Sequence, residues 1–412
     1  MHPLERLVNS FIVKGTLLVY DATGVRREFG SGQDGPVVTM RIHDKSTYRK
    51  IFLSPELAVA EAYMDGQLTM EDGSEIYDLL ILLSVNRKAV GFSKMQRHVR
   101  RVWRKLRFRH QSNDVENAKR NARAHYDLST DMYRLFLDSG LNYSCAYFRS
   151  PDDDLESAQH AKLDHAISKL GLKPDMRVLE IGGGWGSFAI RLAQAGARVV
   201  SLNVSTEQTT IAAQRAAEAG VADRIDFVLK DYRECEGSFD RIVSVGMMEH
   251  VGAKYYDTYF SKVRDLLAPG GYAFIHSIGR TSPPGTTGPF IRKYIFPGGY
   301  IPAASEGLAA LEPTGLWVAE MEVLRLHYHY TIKHWRQRFA DNRERAAELY
   351  DERFCRMWEF YLSAAELDFK HGNSMVFQLL LSNTRDAVPI IRDFMVDAER
   401  AGPSLKDQNP AP

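Results

Sequence analysis

Short stretches near the N-terminus alternate apolar and polar positions, as in TLLVYD (16–21) and VVTMRIHD (37–44), with Gly and Asp between them. That period of two predicts a few short strands from residue 11 to about residue 53. From Ser54 the spacing turns helical through SPELAVAEAYMDGQLTMEDGSEIYDLLILLS. Here Ser54 precedes Pro55 as an N-cap, and Ser74 precedes the apolar run ending at Leu83 as another. Residues 1–86 therefore read as a small α+β domain.

The next segment, NRKAVGFSKMQRHVRRVWRKLRFRH, carries Arg87, Lys88, Lys94, Arg97, Arg100, Arg101, Arg104, Lys105, Arg107 and Arg109 with no acid among them. Phe92, Met95, Val99, Val102, Trp103 and Leu106 recur at helical spacing between these cations, which makes residues 87–117 a basic amphipathic linker. Two readings share this pattern. One is a solvated linker helix packing its stripe on a domain. The other is a helix lying on an anionic membrane surface, where each cation adds ~1 kcal/mol.

From residue 118 the pattern changes again. RVLEIG (177–182), ARVVSLNV (197–204), RIDFVLKD (224–231), FDRIVSVG (239–246) and GYAFIHSIG (271–279) are short apolar runs, mostly rich in β-branched residues. Each of the first four is followed by a helical pattern or by a loop leading to one, the order of a parallel sheet covered on both faces. LWVAEMEVLRL and SMVFQLLLSN supply two further strands after an insertion rich in Pro, Gly and aromatics. Residues 118–400 thus read as a doubly wound α/β domain with a lid insertion.

Composition adds limits. With 412 residues and 44% hydrophobic positions the chain can bury real cores, and Lys+Arg 53 against Asp+Glu 52 gives no overall charge for nucleic acid. Cys145, Cys235 and Cys355 lie far apart without metal-ligand spacing, so neither a disulfide framework nor a metal site is expected. The first residues place Glu5 and Arg6 before most of their apolar neighbours, and no run of about 18 apolar residues occurs, so neither secretion nor membrane spanning is expected.

The chemistry begins at VLEIGGGWGSF (178–188), where a strand runs into glycines. In an open α/β sheet the ligand lies beyond the carboxyl ends of the strands, and glycines in the first strand-to-helix turn let backbone approach it. A dinucleotide G-x-G-x-x-G starting at Gly182 would require glycine where Ser187 stands. The spacing is instead E-x-G-x-G-x-G from Glu180, which resembles the first motif of class I S-adenosylmethionine-dependent methyltransferases. Where that fold commonly offers the ribose an acid, this chain has Asn203, whose amide oxygen can accept but carries no charge.

Several longer segments narrow this further: AHYDLSTDMYRLFLDSGLNYSCAYF (124–148), LEIGGGWGSFA, SLNVSTEQ, DYRECEGSFDRIVSVGMMEHVGAKYYDTYF (231–260), FIHSIGR and KYIFPGGYIP (293–302). Together, from about residue 118 to 385, they resemble the cyclopropane fatty acid synthase family, which includes the mycolic acid cyclopropane synthases. The N-terminal α+β unit looks like the extra domain of the full-length bacterial enzymes. The resemblance implies a class I methyltransferase fold, a Rossmann-like doubly wound seven-stranded sheet. The implied reaction transfers a methylene unit from S-adenosylmethionine to a cis double bond in an acyl chain of a membrane phospholipid. It further implies a cytoplasmic protein peripheral to the inner face of the membrane, with a homodimer as a possible assembly.

By the same resemblance, bicarbonate accepts the proton, held by Cys145, Glu249, His276, the backbone of Ile278, and Tyr328. A carboxylate beside an anion requires a shared proton, so perturbed pKa values are expected at Glu249 and His276. The methyl donor would be held by Tyr126, Tyr143 and Ser144 near the sulfonium, and by Gly182 and Gly184 at the turn. Asn203, Val204 and Gln208 would lie near the ribose, and Asp231 and Tyr232 near the adenine. Many family members carry cysteine at Gly183, a change expected to leave binding intact. Tyr255, Tyr256, Tyr259, Tyr294, Phe296 and Tyr328 are aromatic candidates for facing a carbocation, although most aromatics in any chain are core. Singly, Cys145 reads as a small buried hydrophobe, His276 as a structural residue and Glu249 as a helix cap. Rival readings are a relative giving methyl-branched or methylene-substituted chains, a small-amine N-methyltransferase, and an idle lipid-surface protein that keeps the fold.

Overall fold

The computed structural model describes residues 8–9, 11–30, 34–87 and 128–401. Tyr126 and the basic segment from Lys88 to Arg109 lie outside them. The chain divides into two compact units.

The first unit takes the described part of Met1–Arg107 together with Thr286–Pro297 and Ile332–Asn373. Strands β1 (Thr16–Tyr20), β2 (Arg26–Gly30), β3 (Val37–Ile42) and β4 (Leu68–Glu71) form a four-stranded sheet in the order β2-β1-β3-β4. β1 runs antiparallel to β2 and parallel to β3, and β4 is antiparallel to β3. The predicted strands end earlier than residue 53. Asp44 accepts the N–H of Ser46 and starts helix α1 (Lys45–Leu53), a capping signal that outweighs the apolar Ile51, Phe52 and Leu53.

Helix α2 (Pro55–Met64) begins after Ser54 as expected, although the serine side chain makes no capping bond. Helix α3 (Ile76–Val85) is capped by Glu75 rather than Ser74, with the Asp78 side chain accepting the Glu75 N–H. Ser74 Oγ instead accepts the N–H of Thr39 and ties the helix start to β3. The helix Glu352–His371 joins this unit through Tyr63 to Glu359 at 2.8 Å and Tyr77 to Glu366 at 2.6 Å. Tyr294 likewise donates to Glu61 at 2.8 Å. Packing therefore groups 286–297 and 332–373 with the N-terminal strands, whereas division in chain order counts them with the catalytic domain.

The second unit is built on a seven-stranded sheet. Its strands are β5 (Arg177–Ile181), β6 (Arg198–Asn203), β7 (Ile225–Leu229), β8 (Phe239–Val245), β9 (Leu267–Arg280), β10 (Trp317–Val323) and β11 (Ser374–Ser382), in the order β10-β11-β9-β8-β5-β6-β7. β5 to β9 are mutually parallel, while β11 is antiparallel to both β9 and β10. All seven predicted apolar runs are strands.

Alternate residues of each strand enter different cores. Leu179, Ile181, Ala273 and Ile275 pack with Tyr256, Tyr259, Phe260 and Val263. Val178, Val243 and Phe274 pack with Leu163, Ile167, Phe188 and Leu192. The sheet is thus covered on one face by helices α4 (Leu155–Ser168), α5 (Ser187–Gln194) and α6 (Thr206–Glu218), and on the other by α7 (Tyr256–Leu266). The strand order reverses between β5 and β8, so a crevice opens beyond their carboxyl ends, where the glycine turn and Glu249 lie. No helix among the described residues is long and apolar enough to cross a membrane.

Candidate active site

The turn after β5 is held by Leu202, whose carbonyl accepts the N–H groups of both Gly182 and Gly183 at 3.0 Å. Gly182 has φ +90° and Gly184 φ +52°. A Cβ at Gly184 would meet nothing within 4 Å, so this backbone faces open space on the side where a ligand is expected. Gly183 differs. A Cβ there would collide with Ser201 Oγ, which donates to Glu180 at 2.6 Å. In this chain Gly183, Ser201 and Glu180 therefore fit together as a set, and a cysteine at 183 would displace the Ser201 hydroxyl. Burial pushes Glu180 up to about 7.

Asn203 ends β6 with its amide fully engaged inside the protein. Its Oδ1 accepts from the N–H of Val204 at 2.7 Å and of Ser205 at 3.0 Å, and its Nδ2 donates to Gly184 O at 3.0 Å and Gln208 Oε1 at 3.2 Å. Two lone pairs and two hydrogens are all it has. Gln208, buried at the start of α6, keeps its Nε2 without a hydrogen-bond partner among the described residues. The Val204 N–H is taken by Asn203, which leaves the Gln208 amide as the unpaired donor at this corner.

Asp231 forms a forked pair with Arg233, with Nε at 2.8 Å and Nη2 at 2.8 Å, and the guanidinium lies over the Tyr232 ring. Tyr232 is buried edge-on to Tyr259. Tyr143 packs with Tyr133 and Phe136, and Tyr133 also packs on Trp185 of the glycine turn, with ring centroids 4.9 Å apart. Ser144 Oγ accepts from Lys162 Nζ at 3.1 Å, and its carbonyl accepts from Gln159 at 3.0 Å. Lys162 is buried on α4, and burial pulls its ammonium down to about 8.

On the same edge of the sheet, the helical turn Met248–Val251 after β8 carries Glu249. Its Oε1 accepts the Ile278 N–H at 2.6 Å, while Oε2 is buried with no partner among the described residues. Burial pushes this carboxyl up to about 7. His276, two residues before Ile278 on β9, is buried, and burial with help from Lys162 and Lys169 pulls it down to about 3.

Cys145 is buried and its thiol donates to the Ala146 carbonyl. Burial pushes that thiol far above its ordinary range, so no thiolate forms there. No described residue accepts from its backbone N–H. The Ala146 N–H donates to Thr331 Oγ1 at 3.0 Å, and the Phe148 N–H donates to His327 Nδ1 at 3.0 Å. These bonds fasten the Cys145 segment to the start of helix α8 (His327–Asp341), which bears the buried Tyr328.

Direct contact thus joins Glu249 with Ile278 and anchors Cys145 beside the Tyr328 turn. Of the aromatic candidates, Tyr256 and Tyr259 are core residues under the sheet, and Tyr294 and Phe296 belong to the first unit. Sequence reasoning missed Lys162, Lys169 and Gln378. The signal available was a pair of lysines seven residues apart, Lys162 inside helix α4 and Lys169 as its C-cap, among inward positions that also include the polar Gln159 and His165.

A family model described as mycolic acid cyclopropane synthetase matches residues 113–379. The tuberculostearic acid methyltransferase UfaA1 of Mycobacterium tuberculosis is 39% identical over 279 residues, 65% of this chain and 65% of that protein, just under two thirds of its length. The cyclopropane-fatty-acyl-phospholipid synthase of Escherichia coli K12 is 34% identical over 347 residues, 83% of this chain and 87% of that protein. Among solved structures, mycolic acid cyclopropane synthase CmaA1 complexed with SAH and CTAB superposes with a TM-score of 0.60 at 33% identity, covering 64% of this chain and 97% of that one. The chain therefore belongs to the mycolic acid cyclopropane synthetase family of S-adenosylmethionine-dependent enzymes.

Proposed function

We propose that the protein transfers a methylene unit from S-adenosylmethionine to the cis double bond of an unsaturated acyl chain in a membrane phospholipid and closes a cyclopropane ring. The observation that carries this reading is Glu249, with one oxygen held by the Ile278 N–H and the other buried and unpaired beyond the carboxyl edge of the sheet. An alkene is a weak nucleophile. Its methylation leaves a cation on the acyl chain, which must be kept from water and must lose a proton from the new methyl.

When bound, S-adenosylmethionine supplies the methyl group and bicarbonate takes the proton. The donor set fits both groups. The open backbone at Gly184 admits a ligand at close range, and Gln208 offers its unpaired amide to a ribose oxygen while Asn203 holds it in place. Glu249, half protonated near neutral pH, can share a hydrogen with an adjacent anion. The Cys145 N–H, the neutral ring of His276 and the Tyr328 hydroxyl are the remaining groups this reading assigns to that anion.

Lipid mass spectrometry of cells expressing the protein, with and without mild hydrogenation, tests the reading. A chain heavier by one methylene that resists hydrogenation supports the ring. A second reading, a lipid C-methyltransferase giving a methyl-branched or methylene-substituted chain, draws on the likeness to the tuberculostearic acid methyltransferase, and a product that keeps a double bond would take up hydrogen. An unmodified lipid pool would overturn both. Association with the inner membrane face through the basic segment 87–109 belongs to the same proposal. Vesicle binding that ignored salt and anionic lipid content would sink it.

A further inference from the structure

A buried polar chain runs away from His276 on the side facing α4, and none of the proposed chemistry uses it. Gln378 of β11, 1% exposed, places its Nε2 3.3 Å from His276 Nδ1, and its Oε1 accepts from Lys169 Nζ at 2.8 Å. Lys169, which ends α4, also donates to Glu320 at 3.2 Å and to Glu322. Glu322 Oε2 meets His165 Nε2 at 2.9 Å, and His165 Nδ1 meets Glu399 at 3.0 Å in helix α9 (Asp393–Ala401). Arg392 adds a bond to Glu320 at 2.8 Å.

An amide and an imidazole can each turn either way, and the lysine removes that freedom. A lysine ammonium only donates, so Gln378 must present its oxygen to Lys169 and its N–H to His276. An N–H facing Nδ1 requires that nitrogen to accept. The ring is buried beside two cations and stays neutral, so its hydrogen sits on Nε2. Among the described residues His276 makes no other ring hydrogen bond, which leaves that Nε2–H to give.

We propose that Lys169 and Gln378 are positioning residues that hold His276 as the Nε2–H tautomer, so that its ring donates to the anion of the reaction. This rests on His276 being an anion ligand. Buried charge networks of this kind add little net stability over apolar packing, so orientation is their specific yield here. The opposite tautomer would set a bare nitrogen lone pair against negative charge.

The test is NMR of protein labelled with 15N-histidine, with His276→Gln used for assignment, alongside lipid turnover and calorimetric SAH binding. Wild-type His276 should show a bare Nδ1 and a protonated Nε2. Gln378→Glu offers acceptors to both neighbours, so the hydrogen should move to Nδ1 and turnover should fall at least about tenfold, while SAH affinity holds. Gln378→Leu, which removes the donor without adding charge, should mix the tautomers and lower turnover less.

A wild-type ring protonated on Nδ1 overturns the proposal, as does an unchanged tautomer in a Gln378→Glu protein that still binds SAH. If His276→Gln is inactive while Gln378→Glu inverts the tautomer and turns over normally, the positioning role alone fails. If His276→Gln keeps the wild-type rate, the anion-site reading fails and takes the positioning role with it, whatever the tautomer.

Discussion

Glu249, which the proposed reading puts at the anion, carries a cost to the fold. Its folded pKa of about 7 lies above the ordinary 4.5, so the folded protein holds a proton that the unfolded chain releases. Stability from this group is therefore greatest below about pH 4.5 and declines as pH rises toward 7. Glu249→Gln keeps an acceptor for the Ile278 N–H and removes the titration. It should abolish lipid modification yet be more stable above pH 7, by roughly 1–3 kcal/mol, with melting temperatures flatter between about pH 4.5 and 7. Continued modification at the original rate would sink the anion site. Gly183→Cys should cost about 1–2 kcal/mol and weaken SAH binding, because the new side chain displaces Ser201 from Glu180. Adding Ser201→Ala should recover much of the loss in calorimetry, and its failure to do so would deny the coupling.

At the scale of elements, α4 links the sheet to the end of the chain. His165 lies between Glu322 of β10 and Glu399 of α9 and is stacked on Tyr147 with centroids 4.1 Å apart. Burial alone would lower its pKa, but the hydrogen bonds its ring donates to both carboxylates outweigh that and raise it, with Lys169 opposing. A raised folded pKa means the imidazolium stabilises the fold fully below its unfolded value, and that contribution is lost as pH rises through the raised one. Glu322 gives the mirror case. Burial disfavours its ionised form, but His165 and Lys169 hold it down to about 2, so its contribution is lost only as pH falls toward that value. His165→Gln should thus flatten the alkaline side of the stability profile, measured by urea unfolding between neutral and mildly alkaline pH, and also weaken the acid side, because Glu322 and Glu399 lose the imidazolium that holds them down. An unaltered alkaline slope would show that another group titrates there.

For the whole molecule, the first unit is assembled from three separate stretches of chain. Glu366, 0% exposed, is shared by Tyr77 and Arg336, and Glu359 by Tyr63 and Arg343. A chain truncated to begin near residue 118 would leave these carboxylates without their tyrosines and uncover the face of helix 352–371 that meets α2 and α3. It should melt lower or aggregate in size-exclusion chromatography. A truncated protein as stable as the full chain would mean that the catalytic half does not need the N-terminal stretch. By itself the sequence determined the parallel strands, the glycine turn, the donor class and the family, because periodicity and motif spacing are local and survive being read one segment at a time. The strand region ends earlier than the apolar pattern predicts because Ile51, Phe52 and Leu53 match a strand as well as a helix, and the Asp44 cap decides between them. Tertiary structure alone decided that Asn203 faces inward to its own turn, that Gly183 depends on Ser201, that 286–297 and 332–373 pack with the N-terminus, and that Lys169 and Gln378 stand behind His276. These pairings depend on where side chains meet in space, at separations from a few residues around Asn203 to 209 between Lys169 and Gln378, and such hydrogen bonds and steric fits leave no periodic trace in the chain.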